Sequence, residues 1–462
     1  MLNISELEIA TKGRIVNGSG KVVPSQYITD SRESEQEAFY VPIVGAKVDG
    51  HTFILDCVKR GIVGYFISSH YEKKDYVIAE SIRINKDICI IEVEETSKAL
   101  YDSGVYNREK HIDIPIVAVT GSVGKTSTRE MIASVLKQEK NILVTKKNYN
   151  SYIGLPIMML QLDNQDLCVF EVGIDHIGEM EQLSYLVKPD VAAITMIGTA
   201  HIGIFGNQDV IFQEKLKITN NIKGMATLIV NGDDPYLKTV RNTDNYVVKQ
   251  FKIENARKIE QHEDRICFKT NIHHHEEDIQ INEIGNHNIY NALCAIKIAE
   301  LFDYRTENII QGIAEYRNFK GRLEKKKLKD DIIIIDDTYN ASIDSMVSGL
   351  VTVDKLTGGR KIAILGDMFE LGEYSQTLHE KIGEVFKDLH FDLLYTLGEA
   401  SQNIAKEASK YLPKDCVKAF EDKEVLLEQL KQQMQPGDIL YFKASNLMKF
   451  SELIQKLEQA YQ

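Results

Sequence analysis

Only eight of the 462 residues are proline, too few for a Pro-rich linker, and no apolar run approaches the ~20 residues that a membrane-spanning helix requires. Tryptophan is absent, and the six cysteines (Cys57, Cys89, Cys168, Cys267, Cys294, Cys416) are scattered without a Cys-x-x-Cys pair. With mostly apolar neighbours, they read as reduced core residues. Positive charge is also in short supply: 55 Lys and Arg stand against 68 Asp and Glu, a net charge of −13. That balance disfavours nonspecific attraction to nucleic acid or to anionic membranes, so any nucleotide must be held locally against the global field. The opening MLNISELEIATKGRIV puts Glu6 and Glu8 where a signal peptide needs an apolar core. A cytoplasmic chain without stable membrane insertion is expected.

What is present is ample core material, 43% hydrophobic residues with 27% charged and 29 glycines. A length of this order suggests about three domains and excludes a disordered or fibrous chain. The run His273, His274, His275, Glu276, Glu277 is rich in metal-ligand types. Consecutive residues on a strand or turn diverge, however, so a solvated loop is the better reading.

Apolar runs alternate with helical patterns, which is an α/β signature with short connections. Near residue 113 the charged stretch Asn107–His111 gives way to IPIVAVTG, a buried strand of the parallel-sheet type. Near residue 325 the basic run Lys325, Lys326, Lys327 precedes DDIIIIDD, a second such strand. These shifts divide the chain into residues 1–112, 113–324 and 325–462.

The segment IPIVAVTGSVGKTSTREMIASVL reads as strand, glycine-rich turn and helix, the context that a phosphate loop needs. Gly121 and Gly124 let the backbone turn its N–H groups, including that of Ser122, around a phosphate. Lys125 supplies a mobile cation, and Thr126 and Ser127 follow at the helix N-terminus, where Thr126 offers a hydroxyl to Mg²⁺. The strict pattern wants glycine where this chain has Val119. A plain strand-to-helix turn would explain the glycines but not the Gly-Lys-Thr-Ser run. Downstream, LCVFEVG places Glu171 at a strand end, where a carboxylate suits the ion that Thr126 touches. A GTPase would need an Asn-Lys-x-Asp base reader, and Asn85-Lys86-Asp87-Ile88 lacks the final aspartate. ATP is therefore the expected nucleotide.

Taken together, the segments TDSRESEQEAFYVPIVGAKVDGHTF, TGSVGKTST, KKNYNSYIGLP, FEVGIDHIGEM, IGTAHIGIFG, GNHNIYNAL, KGRLE, DDTYNASIDSM, LGDMFELGEYSQTLHEKIG and KASNLMKF resemble, in order and over nearly the whole chain, the Mur ligases. These are the ATP-dependent amide-forming enzymes of peptidoglycan precursor synthesis. The resemblance implies an N-terminal domain for a UDP-linked substrate, a central P-loop ATPase and a C-terminal Rossmann-like domain. It further implies that D-alanyl-D-alanine is joined to UDP-N-acetylmuramoyl-tripeptide through an acyl phosphate by an enzyme whose domains close over ATP; a monomer is the default expectation for three domains that must swing about linkers.

Residue roles follow from the same resemblance. Lys125 holds the phosphates, Thr126 and Glu171 serve one Mg²⁺, and His201 serves a second. Lys215 matches the lysine that family members carboxylate with CO₂, giving a carbamate that ligates or orients metal where an ammonium would be repelled. Asn288 and Asn291, one helical turn apart, match adenine contacts. Arg322 matches the arginine that reaches the γ-phosphate, and Asp337 the acid that holds the ribose. Tyr339, Asn340 and His379 are positioning residues. Asn150, Ser151 and Ser445 lie in substrate-reading segments, and Ser31, Arg32, Gly45, Asp49 and His51 match the uridine-nucleotide segment.

Three positions depart from the family pattern. Ser151 replaces the second Asn of Asn-Asn, Ile343 replaces a proline, and Ala444 replaces the glycine of Lys-Gly-Ser. Ser151 and Ala444 are expected where substrate is read, which leaves open a related ligase with a different amine or acceptor. A nucleotide-binding scaffold without turnover would not need the full set Lys125, Glu171, His201, Lys215 and Arg322. A folate-polyglutamating ligase would not need the N-terminal DSR and DGH segments.

Overall fold

The structure, a computed structural model, describes residues 1–146 and 148–461; Lys147, in the KKNYNSYIGLP segment, lies outside the described residues. The described strands form four sheets. The first has the spatial order Arg14–Asn17, Cys89–Val93, Gly64–Ser68, Ala38–Tyr40, Gln26–Ile28, parallel except for its first strand. The second is wholly parallel, in the order Tyr246–Phe251, Ala226–Asn231, Val191–Ile194, Ile116–Thr120, Leu167–Glu171, Ile142–Val144. A small antiparallel sheet follows, from Arg257–Gln261, Ile266–Ile272 and His275–Ile281. The last runs Glu324–Lys327, Ile333–Asp336, Ile439–Lys443, Lys361–Gly366, Leu393–Leu397, Val417–Phe420, antiparallel only at its first pair.

The apolar runs make strands because both faces are covered. In Ile116–Thr120, Ile116 and Ala118 enter one apolar cluster while Val117 and Val119 enter another. The two-residue period of a strand sends alternate side chains to opposite faces, so a continuous apolar run signals burial on both. Lys361–Gly366 does the same with Ala363 and Leu365 on one side and Ile362 and Ile364 on the other. One cluster spans the second and fourth sheets, joining Ile197, Ile202 and Phe205 to Met368 and Leu371. The α/β layering expected from the sequence is present.

Strand Ile116–Thr120 lies between Val191–Ile194 and Leu167–Glu171, so the chain leaves it in a crevice at the carboxyl ends of the sheet, the usual ligand position in open α/β folds. Helix Lys125–Leu136 packs on helices His287–Leu301 and Thr306–Glu315. All six cysteines are free, four of them buried. His273 and His274, both in the left-handed region, form the tip of the hairpin joining Ile266–Ile272 to His275–Ile281. His273 Nε2 is occupied by Tyr304 O at 2.7 Å, which fits a turn rather than a metal site. Among the described residues, no helix is long and apolar enough to cross a membrane.

Candidate active site

A cleft of about 770 Å³ opens where the carboxyl ends of the second and fourth sheets face each other. It gathers Ser122, Gly124, Lys125, Thr126, Asn150, Ser151, Glu171 and His201 from one side. Arg322, Tyr339, Asn340 and Ser445 come from the other. These were picked from segments up to 323 residues apart, Ser122 to Ser445.

The phosphate loop has the backbone its glycines allow. Gly121 has φ 147° and Gly124 φ 86°, values that side-chain-bearing residues rarely adopt. A methyl group on Gly121 would stand 1.9 Å from Thr195 Oγ1, so glycine is required sterically as well. Gly124 caps helix Lys125–Leu136 without a side-chain bond, leaving its first N–H groups available to an anion. Lys125 Nζ donates to Gly121 O at 2.9 Å and Ser122 O at 3.4 Å. Burial pushes its pKa down; Glu171 opposes this and Arg322 adds to it.

Glu171 is held by three donors. Its carboxylate accepts from Thr126 Oγ1 at 2.9 Å, Arg129 Nη1 at 3.3 Å and Asn150 Nδ2 at 2.7 Å. A hydroxyl and a carboxylate in contact make a hard oxygen pair that fits Mg²⁺. His201 stands at the start of helix Ile202–Phe205 with φ 60°. Its Nδ1 is 2.7 Å from Glu370 Oε2 but is not aligned for a hydrogen bond, which leaves a buried imidazole nitrogen short of a partner. Burial lowers its pKa, with Glu370 opposing and Lys125 and Lys215 adding to the shift. A neutral imidazole is a competent metal ligand, so this donor set fits the divalent ion implied by the resemblance.

Lys215, near the end of helix Gln208–Leu216, is 2% exposed and makes no hydrogen bond or ion pair among the described residues. Burial drives its pKa well below the ordinary lysine value, Lys125 adds to that, and Glu179 opposes it. Asp175 and Glu179, which line the cleft, and His176 present ligand atoms within 4.8 Å of one another.

On the far wall, the Arg322 guanidinium lies 4.4 Å above the Tyr339 ring, a cation–π contact that aims the charge. Its Nε is buried without a hydrogen-bond partner among the described residues. Tyr339 is held edge-on by Phe319 at 5.5 Å. Ser445 Oγ accepts from Phe369 N at 2.9 Å. Asp337 sits at the end of strand Ile333–Asp336 in a buried ion pair: Lys443 Nζ is 2.6 Å from its Oδ2, and Tyr441 OH 3.0 Å. His379 is fully buried, with Nδ1–H donating to Ser375 O at 2.7 Å and Nε2 accepting from Met368 N at 3.0 Å. Both ring nitrogens are thereby committed to backbone groups.

Other sequence-selected residues lie outside the cleft. Ser127 is buried on the phosphate-loop helix. Asn288 and Asn291 are buried and joined at 3.1 Å, with Thr128 Oγ1 donating to Asn291 Oδ1 at 2.7 Å, so they tie helix His287–Leu301 to the phosphate-loop helix. In the first sheet region, Asp49 Oδ1 is 2.6 Å from His51 Nδ1, and His51 Nε2 accepts from Ser68 N at 3.2 Å. The ring stacks on Tyr71 at 4.7 Å, and Gly45 N donates to Val48 O at 2.9 Å. Arg32 is exposed and forked onto Asp30, beside Ser31. This group forms a surface separate from the cleft; Tyr149 OH, 3.4 Å from Glu33 Oε2, links the two regions.

Sequence reasoning missed Arg129, Lys443, Asp344 and Glu370. Asp344 Oδ2 accepts from Thr199 N at 3.1 Å and Oγ1 at 3.3 Å, bridging the two walls. A buried arginine or lysine leaves no trace in sequence until its carboxylate partner is known.

Comparison with known proteins agrees with this geometry. The Mur ligase middle domain matches residues 119–299, and the Mur ligase glutamate ligase domain residues 321–446. The UDP-N-acetylmuramoyl-tripeptide–D-alanyl-D-alanine ligase of Bacillus subtilis is 32% identical over 98% of this chain and 97% of its own. A crystal structure of MurF from Acinetobacter baumannii superposes with a TM-score of 0.86 at 28% identity, covering 99% of each chain. The MurF ligase of Thermotoga maritima in complex with ADP shares the fold, with a TM-score of 0.78 at 24% identity over 94% of this chain and 97% of that one. By its sequence, its sheet order and the residues gathered in its cleft, the chain belongs to the Mur ligase family.

Proposed function

We propose that the chain joins D-alanyl-D-alanine to UDP-N-acetylmuramoyl-tripeptide at the expense of ATP, working as a monomer in the cytoplasm. Its units are residues 1–112 for the UDP-linked substrate, 113–324 for ATP and 325–462 for closure and the amine. The observation that carries this reading is the convergence of Lys125, Thr126, Glu171, His201 and Arg322 on one cleft. A carboxylate and a triphosphate repel, and bringing them together needs fixed cations in a site shielded from water.

The tripeptide carboxylate attacks the γ-phosphorus, ADP leaves, and the acyl phosphate is then attacked by the amine of the dipeptide, releasing phosphate. Lys125 and Arg322 hold the phosphate oxygens from opposite walls, and Tyr339 aims the guanidinium. Thr126 and Glu171 would hold one Mg²⁺ and His201 a second; when bound, the ions neutralise phosphate charge. Alignment of carboxylate, phosphate and amine can supply ~7–11 kcal/mol of the barrier. Closing the walls keeps water from the acyl phosphate.

Lys215 is the carbamylated lysine in this reading. Carbamate formation needs a neutral amine, and burial with the nearby Lys125 charge favours that form. Asn288 and Asn291 serve adenine, Asp337 the ribose, and Ser31, Arg32, Gly45, Asp49 and His51 the uridine nucleotide.

The test is phosphate release from ATP with UDP-N-acetylmuramoyl-tripeptide, comparing D-alanyl-D-alanine with no amine, single amino acids and other dipeptides. Stimulation by D-alanyl-D-alanine above all others is expected. Preference for another amine would overturn the amine assignment, and silence with every amine would overturn the ligase reading.

A further inference from the structure

Two residues in the left-handed backbone region meet across the cleft. His201 has φ 60° and Glu370 φ 65°, conformations that cost a side-chain-bearing residue energy and persist where surrounding contacts impose them. Their side chains approach to 2.7 Å between Nδ1 and Oε2. The backbones are tied as well, since Gly203 N donates to Glu370 O at 3.1 Å. There is no room for a side chain at Gly203, where a methyl group would stand 2.5 Å from Gly372 N. Tyr374 OH closes the same seam by donating to Gly206 O at 2.8 Å. The Glu370 side chain is 54% exposed, and among the described residues its carboxylate makes no other ion pair or hydrogen bond.

Glu370 Oε2 lies within reach of His201 Nδ1, although the pair is not aligned for a hydrogen bond in this structure; a rotation that lets the carboxylate accept Nδ1–H fixes the tautomer and leaves Nε2 as the lone-pair donor. This is how metal-binding histidines are commonly oriented. Here the carboxylate comes from the loop after strand Lys361–Gly366, on the opposite wall from the histidine. We infer that Glu370 is a positioning residue that orients His201 as a metal ligand, so that the metal site is completed only when the two walls meet. The inference rests on the reading that His201 holds a divalent ion. It links closure to metal retention: the loop that shuts the cleft also sets the ring.

The experiment is Mn²⁺ titration of the full-length protein with a non-hydrolysable ATP analogue, followed by electron paramagnetic resonance of free Mn²⁺. It is run on the wild type, His201→Ala, Glu370→Gln and Glu370→Ala. Glu370→Gln and Glu370→Ala are expected to loosen one Mn²⁺ site about tenfold, the scale of losing a carboxylate behind a metal-bound histidine, while analogue affinity in excess Mg²⁺ changes less than about twofold. His201→Ala should loosen the same site. Loosening by His201→Ala without loosening by either Glu370 variant would overturn the inference and leave the ligand reading standing. If none of the variants affects Mn²⁺, the ligand reading falls and the inference with it. Parallel loss of Mn²⁺ and analogue with a lowered melting temperature would mark Glu370 as a structural latch only, and would equally overturn it.

Discussion

Gly366 leaves the space that Ala444 fills: a methyl group on Gly366 would stand 2.7 Å from the Ala444 methyl carbon and 2.7 Å from Phe450 Cζ. Ala444 is fully buried in the apolar cluster with Phe442 and Phe450, so its side chain faces away from the cleft that Ser445 lines. Ile343 packs against the large apolar cluster. Of the three departures from the family pattern, only Ser151 lines the cleft.

Ala444→Gly is therefore expected to leave amine preference unchanged and to cost about 1 kcal/mol of stability through loss of a buried methyl. Ser151→Asn should move the KM for the UDP-linked substrate by up to about fivefold, the worth of one hydrogen bond. Steady-state kinetics with each substrate varied, together with denaturant melts, separates the two effects. A change of amine preference in Ala444→Gly would contradict the geometry.

Removing charge from Glu171 tests the oxygen pair it makes with Thr126. Glu171→Gln keeps a polar group for Arg129 and Asn150, so its melting temperature should stay close to the wild type. Turnover should fall by about 10²-fold or more, as expected for losing a charged group that serves the transferring phosphate. Glu171→Ala should lose stability as well, because Arg129, 1% exposed at its side chain, then loses a hydrogen-bond acceptor that Glu171→Gln retains.

The buried pair of Lys443 and Asp337 makes a contrasting prediction. Lys443 is fully buried, and its ammonium also donates to Asn340 O at 3.1 Å. Lys443→Ala leaves Asp337 uncompensated and should cost about 3–5 kcal/mol of stability. Lys443→Arg should recover only part of this, since the larger planar group must enter the same space. Urea unfolding of both variants gives the comparison; a near-neutral Lys443→Ala would show that water reaches Asp337.

How much of this was legible beforehand depends on how local each signal is. The phosphate loop was readable because its turn, cation and hydroxyl lie within six residues, Gly121 to Thr126, flanked by a strand and a helix. The buried strands were readable because apolar runs such as IIII leave no polar face. The Thr126 and Glu171 contact could be anticipated because Thr126 opens the helix that follows strand Ile116–Thr120 and Glu171 ends the neighbouring strand Leu167–Glu171. By contrast, the Asn288–Asn291–Thr128 chain, the Lys443–Asp337 pair and the His201–Glu370 approach depend on how separate segments pack. No period or spacing encodes those distances. The substrate-reading role expected for Ala444 failed for a related reason: one residue along a strand end turns a side chain from cleft to core.

Lys125→Ala removes the cation nearest the phosphate loop. Because, among the described residues, its ammonium is bonded only to the carbonyls of Gly121 and Ser122, the fold should survive, with a melting temperature near that of the wild type. Turnover should drop by about 10³-fold or more, since the transferring phosphoryl charge is left uncompensated. Retention of kcat would sink the ATP-dependent mechanism.

Lys215 joins stability, pH and chemistry in one residue. Its amine is buried without a partner among the described residues, and its pKa is lowered by desolvation first and by Lys125 second. A lysine whose folded pKa lies below its unfolded value burdens the fold while protonated. The burden is full below the folded pKa and disappears as pH rises to the ordinary lysine range. In CO₂-depleted buffer Lys215→Met should therefore melt higher than the wild type at neutral pH, with the difference shrinking as pH is raised. The same variant should lose turnover, and Lys215→Ala should be partly rescued by short carboxylates that stand in for the carbamate. Bicarbonate should restore activity to CO₂-depleted wild-type protein but not to either variant. Wild-type activity indifferent to CO₂, together with absent carboxylate rescue, would make Lys215 a cation in the mechanism and count against the carbamate.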